Sequence, residues 1–241
     1  MSTTRSRHSS KRPCTVLLLA LLAAFTLLPG PKPARAEPTL PGDRPLVRAE
    51  IPDRRVALTF DVTWQQTELA RIIGALDAAN VKATFFVGGT FLSLYGENAR
   101  LLIAHGHEVG TLGQRVVDLS GQSEQEVTSN LLASQSALAK ILGGPVRYFR
   151  PPMGTATPEV VRGARAANLI TVTYSLDSED YTGIPAAEIA QNVVKRARKG
   201  DIIRLSASDW SPRTSAALPL IIRGLAERKF LLVRVSDLVV P

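Results

Sequence analysis

Val56-Ala57-Leu58-Thr59-Phe60, with Asp61 directly behind it, is the stretch of sequence that decides the fold. A short apolar run of this kind indicates a strand that is buried on both faces, as strands are in parallel sheets. The apolar residues that follow recur at helical spacing: Leu69, Ile72, Ile73 and Leu76. The stretch therefore predicts a strand, a loop that begins with a carboxylate, and then a helix.

The same alternation continues to the end of the chain. Apolar runs predict further strands at 83–87, 148–150, 170–175, 202–205 and 230–235. Helices are predicted between them; one begins at a capping box formed by Ser123 and Glu126, and another ends at Gly200. Alternating strands and helices pair in parallel through βαβ units, which predicts a single α/β domain. Periodicity leaves open whether the sheet closes into a barrel, closes partly or stays open.

The N-terminal 36 residues have the layout of a secretory signal peptide. Basic residues precede an apolar run at 15–28, and Ala34-Arg35-Ala36 forms a small-x-small cleavage site. The run is shorter than the roughly 20 residues that a membrane span needs, and an uncleaved anchor is the alternative prediction. We expect cleavage after Ala36 and an exported protein of the extracytoplasmic space or cell envelope. An extended lead-in is predicted over 37–54 and the domain over 55–241.

The charge of the chain belongs largely to the signal segment. The chain has 29 basic and 21 acidic residues, and residues 1–36 hold six of the basic residues and none of the acidic ones. The remainder has 23 basic and 21 acidic residues, a net charge of +2, which gives no reason to expect a nucleic-acid partner. Cys14 is the only cysteine, so the exported part must be stabilised by its core and not by disulfides.

Five polar stretches occur in order along the chain. They are Thr59-Phe60-Asp61-Val62-Thr63, Gly106-His107-Glu108-Val109-Gly110, Arg150-Pro151-Pro152-Met153-Gly154, Asp177-Ser178-Glu179-Asp180-Tyr181 and Asp201-Ile202-Ile203-Arg204-Leu205-Ser206. Together they resemble the five signatures of the polysaccharide deacetylases, the NodB-homology proteins of carbohydrate esterase family 4. The resemblance covers roughly 56–239, and residues 61–63, 207–209 and 214–222 are similar to the sporulation-associated branch. It implies a distorted (β/α) barrel with about seven parallel strands.

The resemblance also implies a metal site whose ligands this chain lacks. The family holds zinc or a similar divalent metal with one aspartate and two histidines; Val62, Leu112 and Val116 stand at those positions. Apolar side chains cannot coordinate zinc, so no cofactor is expected. The histidines left in the domain are His105 and His107. His107 is expected to be structural and His105 to end a helix, and a metal site using both lacks a third donor.

The remaining site residues are assigned by the same resemblance. Asp61 stands where the family has its general base, Arg150 orients it, and Asp177 is expected to pair with Arg150. Ser206 stands at the position of the general-acid histidine, and serine cannot donate a proton near neutral pH as imidazole does. The predicted substrate groove is formed by Trp64, Pro151, Met153, Asp180, Tyr181 and Ser206. These residues lie at or near the carboxyl ends of predicted strands, where barrels carry their sites.

One basic residue is predicted to compensate for the missing metal. Strand residues alternate between faces, so Arg204 shares a face with Ser206 and would point toward Asp61, Asp177 and Asp180. We predict that Arg204 supplies part of the positive charge that the metal would bring. Arg115 is the rival candidate, and a twist or bulge that turns Arg204 outward is the alternative.

Three functions follow from these patterns. The first is an exported hydrolase that removes N-acetyl groups from peptidoglycan or a related glycan. The second is a family member that binds glycan, or a protein partner, without metal-dependent turnover. The third is a structural envelope or spore-associated protein with a blocked groove. Acetate release distinguishes the first from the others, and glycan affinity distinguishes the second from the third.

Overall fold

The computed structural model describes Ser2 and residues 44–63 and 67–239. The predicted signal peptide, apart from Ser2, lies outside the described residues, as do 37–43 and Trp64. None of the described helices is both long and apolar enough to cross a membrane.

Eight strands of the described residues form one parallel sheet. In chain order they are β1 (Arg55–Val62), β2 (Thr84–Gly88), β3 (Glu108–Gly113), β4 (Tyr148–Phe149), β5 (Ile170–Thr171), β6 (Leu176–Asp177), β7 (Ile202–Ser206) and β8 (Leu231–Val233). Seven of them neighbour one another in the order β5-β4-β3-β2-β1-β7-β6, and β8 pairs with the start of β1. The sheet curls into a half-barrel with helices outside it, which confirms the distorted (β/α) barrel that the family resemblance implied.

Helices cover the outside of the curled sheet. They are α1 (Thr67–Ala78), α2 (Gly89–Ala104), α3 (Glu124–Leu142), α4 (Pro158–Ala166), α5 (Ala186–Arg196) and α6 (Thr214–Glu227), with the single-turn α7 (Val235–Leu238) at the end. The predicted capping box is present: the Ser123 hydroxyl accepts from the Glu126 amide, and the Glu126 carboxylate accepts from the Ser123 amide.

Three predicted boundaries were wrong. The fifth helix was predicted to end at Gly200, but α5 ends at Arg196, because the Arg198 amide donates to the Asp201 carboxylate and turns the chain toward β7. The strand predicted at 170–175 stops at Thr171, since the Thr173 amide donates to Leu46 of the lead-in. The strand predicted at 230–235 ends at Val233, and α7 begins two residues later.

Alternation along β1 separates two apolar cores. Phe60 and Val62 face outward into the larger core between sheet and helices, where the Phe60 ring stacks on Phe85 with centroids 4.9 Å apart. Ala57 faces inward and packs in the smaller core with α7 and with residues of the lead-in. The inner face of β1 is therefore apolar at its start and ends in the polar side chains of Thr59 and Asp61.

The lead-in is attached to the barrel. Within 44–54, Leu46 forms a parallel bridge with Val172 and Arg48 an antiparallel bridge with Asp201. The Arg48 guanidinium also donates to the buried Asp201 carboxylate at 2.7 Å. These contacts, with α7, fill the amino end of the barrel.

Candidate functional site

The candidate site lies on the inner face of the sheet where β1 and β7 end. The strand register pairs Asp61 with Ser206 and Thr59 with Arg204. Because side chains alternate along a strand, all four share the inner face. β6 brings Asp177 alongside Arg204 from the other edge of β7. Parallel pairing thus gathers charged residues that are far apart in sequence at one end of the barrel.

The Asp61 carboxylate lies between two guanidiniums. Its Oδ1 accepts from Arg150 Nη1 at 2.9 Å, and its Oδ2 accepts from Arg204 Nε at 2.9 Å. Asp61 is 14% exposed, so these contacts form with little water around them. Charge-assisted hydrogen bonds of this kind are about twice as strong as neutral ones, and here each carboxylate oxygen receives one.

Arg150 is buried and braced on several sides. Its Nη2 donates to the Thr59 hydroxyl at 2.8 Å and to the Thr173 carbonyl at 3.1 Å, and its guanidinium lies 4.2 Å from the centroid of the Phe86 ring. Burial lowers the pKa of Arg150, and the Asp61 carboxylate opposes that effect. The expected pairing of Arg150 with Asp177 was wrong, because Arg204 lies beside Asp177 and takes that place.

Arg204 joins the two carboxylates of the site. Besides Asp61, it reaches Asp177, with Nη1 3.1 Å from Oδ2. Its guanidinium carbon lies 5.1 Å from the Tyr181 ring centroid and 5.6 Å from that of Tyr174. Burial disfavours its charge, but Asp61 and Asp177 outweigh that cost and raise the pKa of Arg204 above its ordinary value. The side chain is therefore a permanent cation.

Asp180 lies behind the site and not on its open surface. Its Oδ2 accepts from the Ser206 amide at 2.7 Å and from the Thr214 hydroxyl at 2.6 Å. Burial raises the pKa of Asp180. The Ser206 hydroxyl lies 2.9 Å from that of Ser208 and is buried with it. This polar layer fixes the loop after β7.

The predicted groove residues divide by exposure. Met153 is 79% exposed and Tyr181 54% exposed, on the short loops that follow β4 and β6. Pro151, Asp180 and Ser206 are buried, so they support the groove without forming its surface. Trp64 lies outside the described residues. Trp210, which sequence reasoning missed, is 76% exposed on the loop after β7.

Arg115 is not part of this cluster. Its backbone amide donates to the Asn130 side chain, and the residue lines a surface pocket with Gln125 and Glu126 of α3. Across the described ranges it forms no ion pair with Asp61. Arg204, and not the rival Arg115, lies beside the site carboxylates.

The residues at the family's metal positions do not fit zinc. Val62 is fully buried in the outer core and faces away from the site, while Leu112 belongs to the inner core. Val116 packs so closely over Gly88 that a Cβ there would lie 2.4 Å from the valine methyl. Within the described part of the chain, no three histidine, cysteine or carboxylate side chains are grouped as a metal site. The donor set that zinc needs is absent from these positions.

The two histidines of the domain have structural surroundings. His107 is 3% exposed, its Nδ1 accepts from the Ala83 amide at 3.3 Å, and its ring lies 5.1 Å from that of Phe85. Burial lowers the pKa of His107 to about 4, so the ring is neutral. His105 ends α2, as predicted, and its Nδ1 lies 2.5 Å from the Asp77 carboxylate. Both histidines precede β3, which begins at Glu108.

A parallel barrel with charged side chains at the carboxyl ends of its strands defines the general class, the α/β barrels that carry their sites there. The polysaccharide deacetylase family model matches residues 48–172. A peptidoglycan-N-acetylglucosamine deacetylase of Bacillus cereus is 29% identical over 195 residues, which are 78% of this chain and 91% of that protein. The peptidoglycan-N-acetylglucosamine deacetylase PgdA of Listeria monocytogenes is 28% identical over 77% of this chain. The matched region is only 39% of the length of PgdA.

The solved structures agree with the family model. A CE4 family pseudoenzyme from Bacillus anthracis has a TM-score of 0.78 and 25% identity, covering 82% of this chain and 69% of its own. A mutant described as a CE4 family pseudoenzyme with restored enzymatic activity matches with the same TM-score. The chain belongs to the polysaccharide deacetylases, the NodB-homology proteins of carbohydrate esterase family 4.

Proposed function

We propose that this protein is an extracytoplasmic polysaccharide deacetylase-family member that binds a glycan such as peptidoglycan and does not carry out metal-dependent deacetylation. The observation that carries the proposal is the Asp61 carboxylate, whose two oxygens each accept from a different guanidinium. A general base must be free to take a proton from a water that it contacts. Protonation of Asp61 would remove the negative charge that both arginines bind, and the loss of two ion pairs disfavours the step.

The loss of the acid group supports the same conclusion. Ser206 stands where the family has a histidine, and its hydroxyl is buried against Ser208. Asp180 is close but is turned to the Ser206 amide and Thr214. Both side chains are buried and bonded within the protein, so neither is placed to donate a proton to a leaving amine.

Glycan binding is supported by the exposed side chains around the site. Tyr181 is half-exposed directly above Arg204, and Met153 and Trp210 project from the loops after β4 and β7. Exposed aromatic rings such as those of Tyr181 and Trp210 supply contact area at low conformational cost. The deacetylases of Bacillus cereus and Listeria monocytogenes are named for peptidoglycan, which favours a glycan of this class.

The cellular location rests on the N-terminal segment and on these relatives. A signal peptide cleaved after Ala36 would export the domain, and peptidoglycan lies outside the cytoplasmic membrane. Contact with the membrane is then expected only if the segment stays uncleaved. The link with sporulation remains a prediction from the residues that follow Ser206.

Two assays on the folded protein test this function. The first measures acetate release from N-acetylglucosamine oligomers and from peptidoglycan, with added zinc and with chelator; we expect none in either condition. The second measures co-sedimentation with peptidoglycan; we expect binding that Tyr181→Ala weakens about three- to tenfold, the worth of one aromatic contact. Leu231→Ala removes an exposed apolar side chain from β8 and serves as the matched control.

Either assay can overturn the proposal. Acetate release that disappears in Asp61→Asn would mean that the site catalyses in spite of its two ion pairs. Absence of peptidoglycan binding in a protein with a cooperative unfolding transition would favour a protein partner or a structural role.

A further inference from the structure

Four charged side chains form a linear, electrically neutral chain at the site. Arg150 contacts Asp61, Asp61 contacts Arg204, and Arg204 contacts Asp177, with separations of 2.9, 2.9 and 3.1 Å. Two cations thus balance two anions in a region where no member is more than 21% exposed. Charges with so little water around them are stable only when they are paired.

Arg204 is the member of this chain that holds two carboxylates together. Arg150 is bound on its other side to Thr59 and a backbone carbonyl, so it neutralises Asp61 alone. Asp177 has Arg204 as its only ion-pair partner among the described residues, and its Oδ1 also accepts from the Glu179 amide. Without Arg204, two nearby carboxylates would share one cation, and the site would carry a net charge of −1.

A gap between two carboxylates is also what a divalent metal fills in oxygen-rich sites. In this chain the gap contains a guanidinium that the β7 backbone holds in register with Asp177 and Thr59. Tyr181 and Tyr174 flank the guanidinium at 5.1 and 5.6 Å from their centroids. The cation is therefore attached to the chain, positioned from several sides, and permanently charged.

We propose that Arg204 is a tethered cation that balances the site carboxylates in place of a metal and thereby excludes divalent metals from the site. The side chain excludes a metal in two ways: it occupies the space between Asp61 and Asp177, and it repels a second cation at close range. The proposal concerns metal binding and charge balance. It can therefore fail while glycan binding is confirmed, and glycan binding can fail while this proposal is confirmed.

The test compares the full chain with variants of Arg204, in chelator and in excess Mn²⁺, Ca²⁺ or Zn²⁺, by thermal unfolding and by the metal retained after equilibrium dialysis. For the wild type we expect no metal-dependent shift and no site-bound metal. Arg204→Met should lower the unfolding midpoint by about 10 °C, since it leaves a carboxylate unpaired. It should also gain a metal-dependent rise of roughly 4 °C once the metal is tenfold above its Kd. Arg204→Lys keeps the charge and should stay insensitive to metal.

A charge-compensated variant keeps the test decisive if Arg204→Met folds poorly. In Arg204→Met/Asp177→Asn the site is again neutral, with Arg150 paired to Asp61. The double variant should therefore recover about half of the decrease in unfolding midpoint and lose the sensitivity to metal. Arg162→Met is the matched control, because Arg162 also bridges two carboxylates, those of Glu124 and Glu159, but on the surface.

Two results would overturn the proposal. One is a wild-type protein that retains one metal per chain, with the metal lost in Asp61→Asn. The other is a double variant no more stable than Arg204→Met, because charge balance would then not be the role of Arg204.

Discussion

Asp61 and Val62 are neighbours in sequence whose side chains point to opposite faces of β1, and this alternation decides what each position can do. Asp61 projects into the site between two arginines, whereas Val62 has no exposed surface and packs among the outer apolar residues. The register of β1 with β2 continues through Val62, which pairs with Val87. A ligand introduced at position 62 would therefore enter the outer core unless the end of β1 rearranged.

Val62→Asp tests this placement. A carboxylate without a partner in the outer core should lower the free energy of unfolding by about 3 kcal/mol or more at pH 7, measured by urea titration. Burial raises the pKa of such a carboxyl above its unfolded value near 3.9, so the loss should shrink as the pH falls toward 4. Val62→Ala, which leaves a small cavity and no charge, is the control. Equal stability of the two variants at pH 7 would mean that position 62 faces the site.

At the scale of elements, the sequence predicted those strands in which apolar residues predominate. β1, β2 and β7 are such strands; β1 carries Asp61, and β7 carries Arg204 and Ser206. β3 was missed because its glycines and Thr111 interrupt the apolar pattern; Gly110 is required there, since a Cβ would meet the Phe86 ring at 2.7 Å.

The site could be predicted in part for the same reason. Alternation places Arg204 on the inner face of β7, and the same rule applied to β1 would have found Thr59, the residue that holds Arg150. Sequence placed both Arg150 and Arg204 near Asp177; that Arg204 is the one that pairs with it depends on the register of β6 with β7, which the sequence alone does not give. Trp210 and Tyr174 lie on loops, where periodicity carries no information.

The stability of the connection between α2 and β3 should depend on pH. His107 is buried there as a neutral ring with its pKa lowered from 6.5 to about 4. The unfolded chain binds this proton more readily, so stability is full above pH 6.5 and falls as the pH drops from 6.5 to 4, by about 3 kcal/mol. His107→Gln keeps an acceptor for the Ala83 amide and does not titrate. Urea titrations at pH 7 and 4.5 should show a smaller loss in the variant, and identical losses would contradict the assignment.

At the scale of the whole molecule, the barrel is closed at one end by segments outside its main strands. The inner core continues from β1 and β7 into α7, and the lead-in covers it through Ala49 and Leu46. The opposite end remains open and carries the site. The four charged side chains from Arg150 to Asp177 are still at most 21% exposed, so their surroundings are mainly packed protein and not solvent.

Two glycine substitutions measure how strongly the lead-in belongs to the folded unit. Gly200 has φ +79° and approaches the lead-in so closely that a Cβ would lie 1.9 Å from the Ala49 carbonyl oxygen. Gly200→Ala should therefore lower the free energy of unfolding by about 3 kcal/mol, from backbone strain and the clash together. Gly74, exposed within α1, has no atom within 4 Å of the position that an added methyl group would take, and Gly74→Ala should stabilise by roughly 0.5–1 kcal/mol. If instead the lead-in were only loosely attached, it would yield to the new methyl group, and Gly200→Ala would cost no more than the strain of its positive φ, about 1–2 kcal/mol.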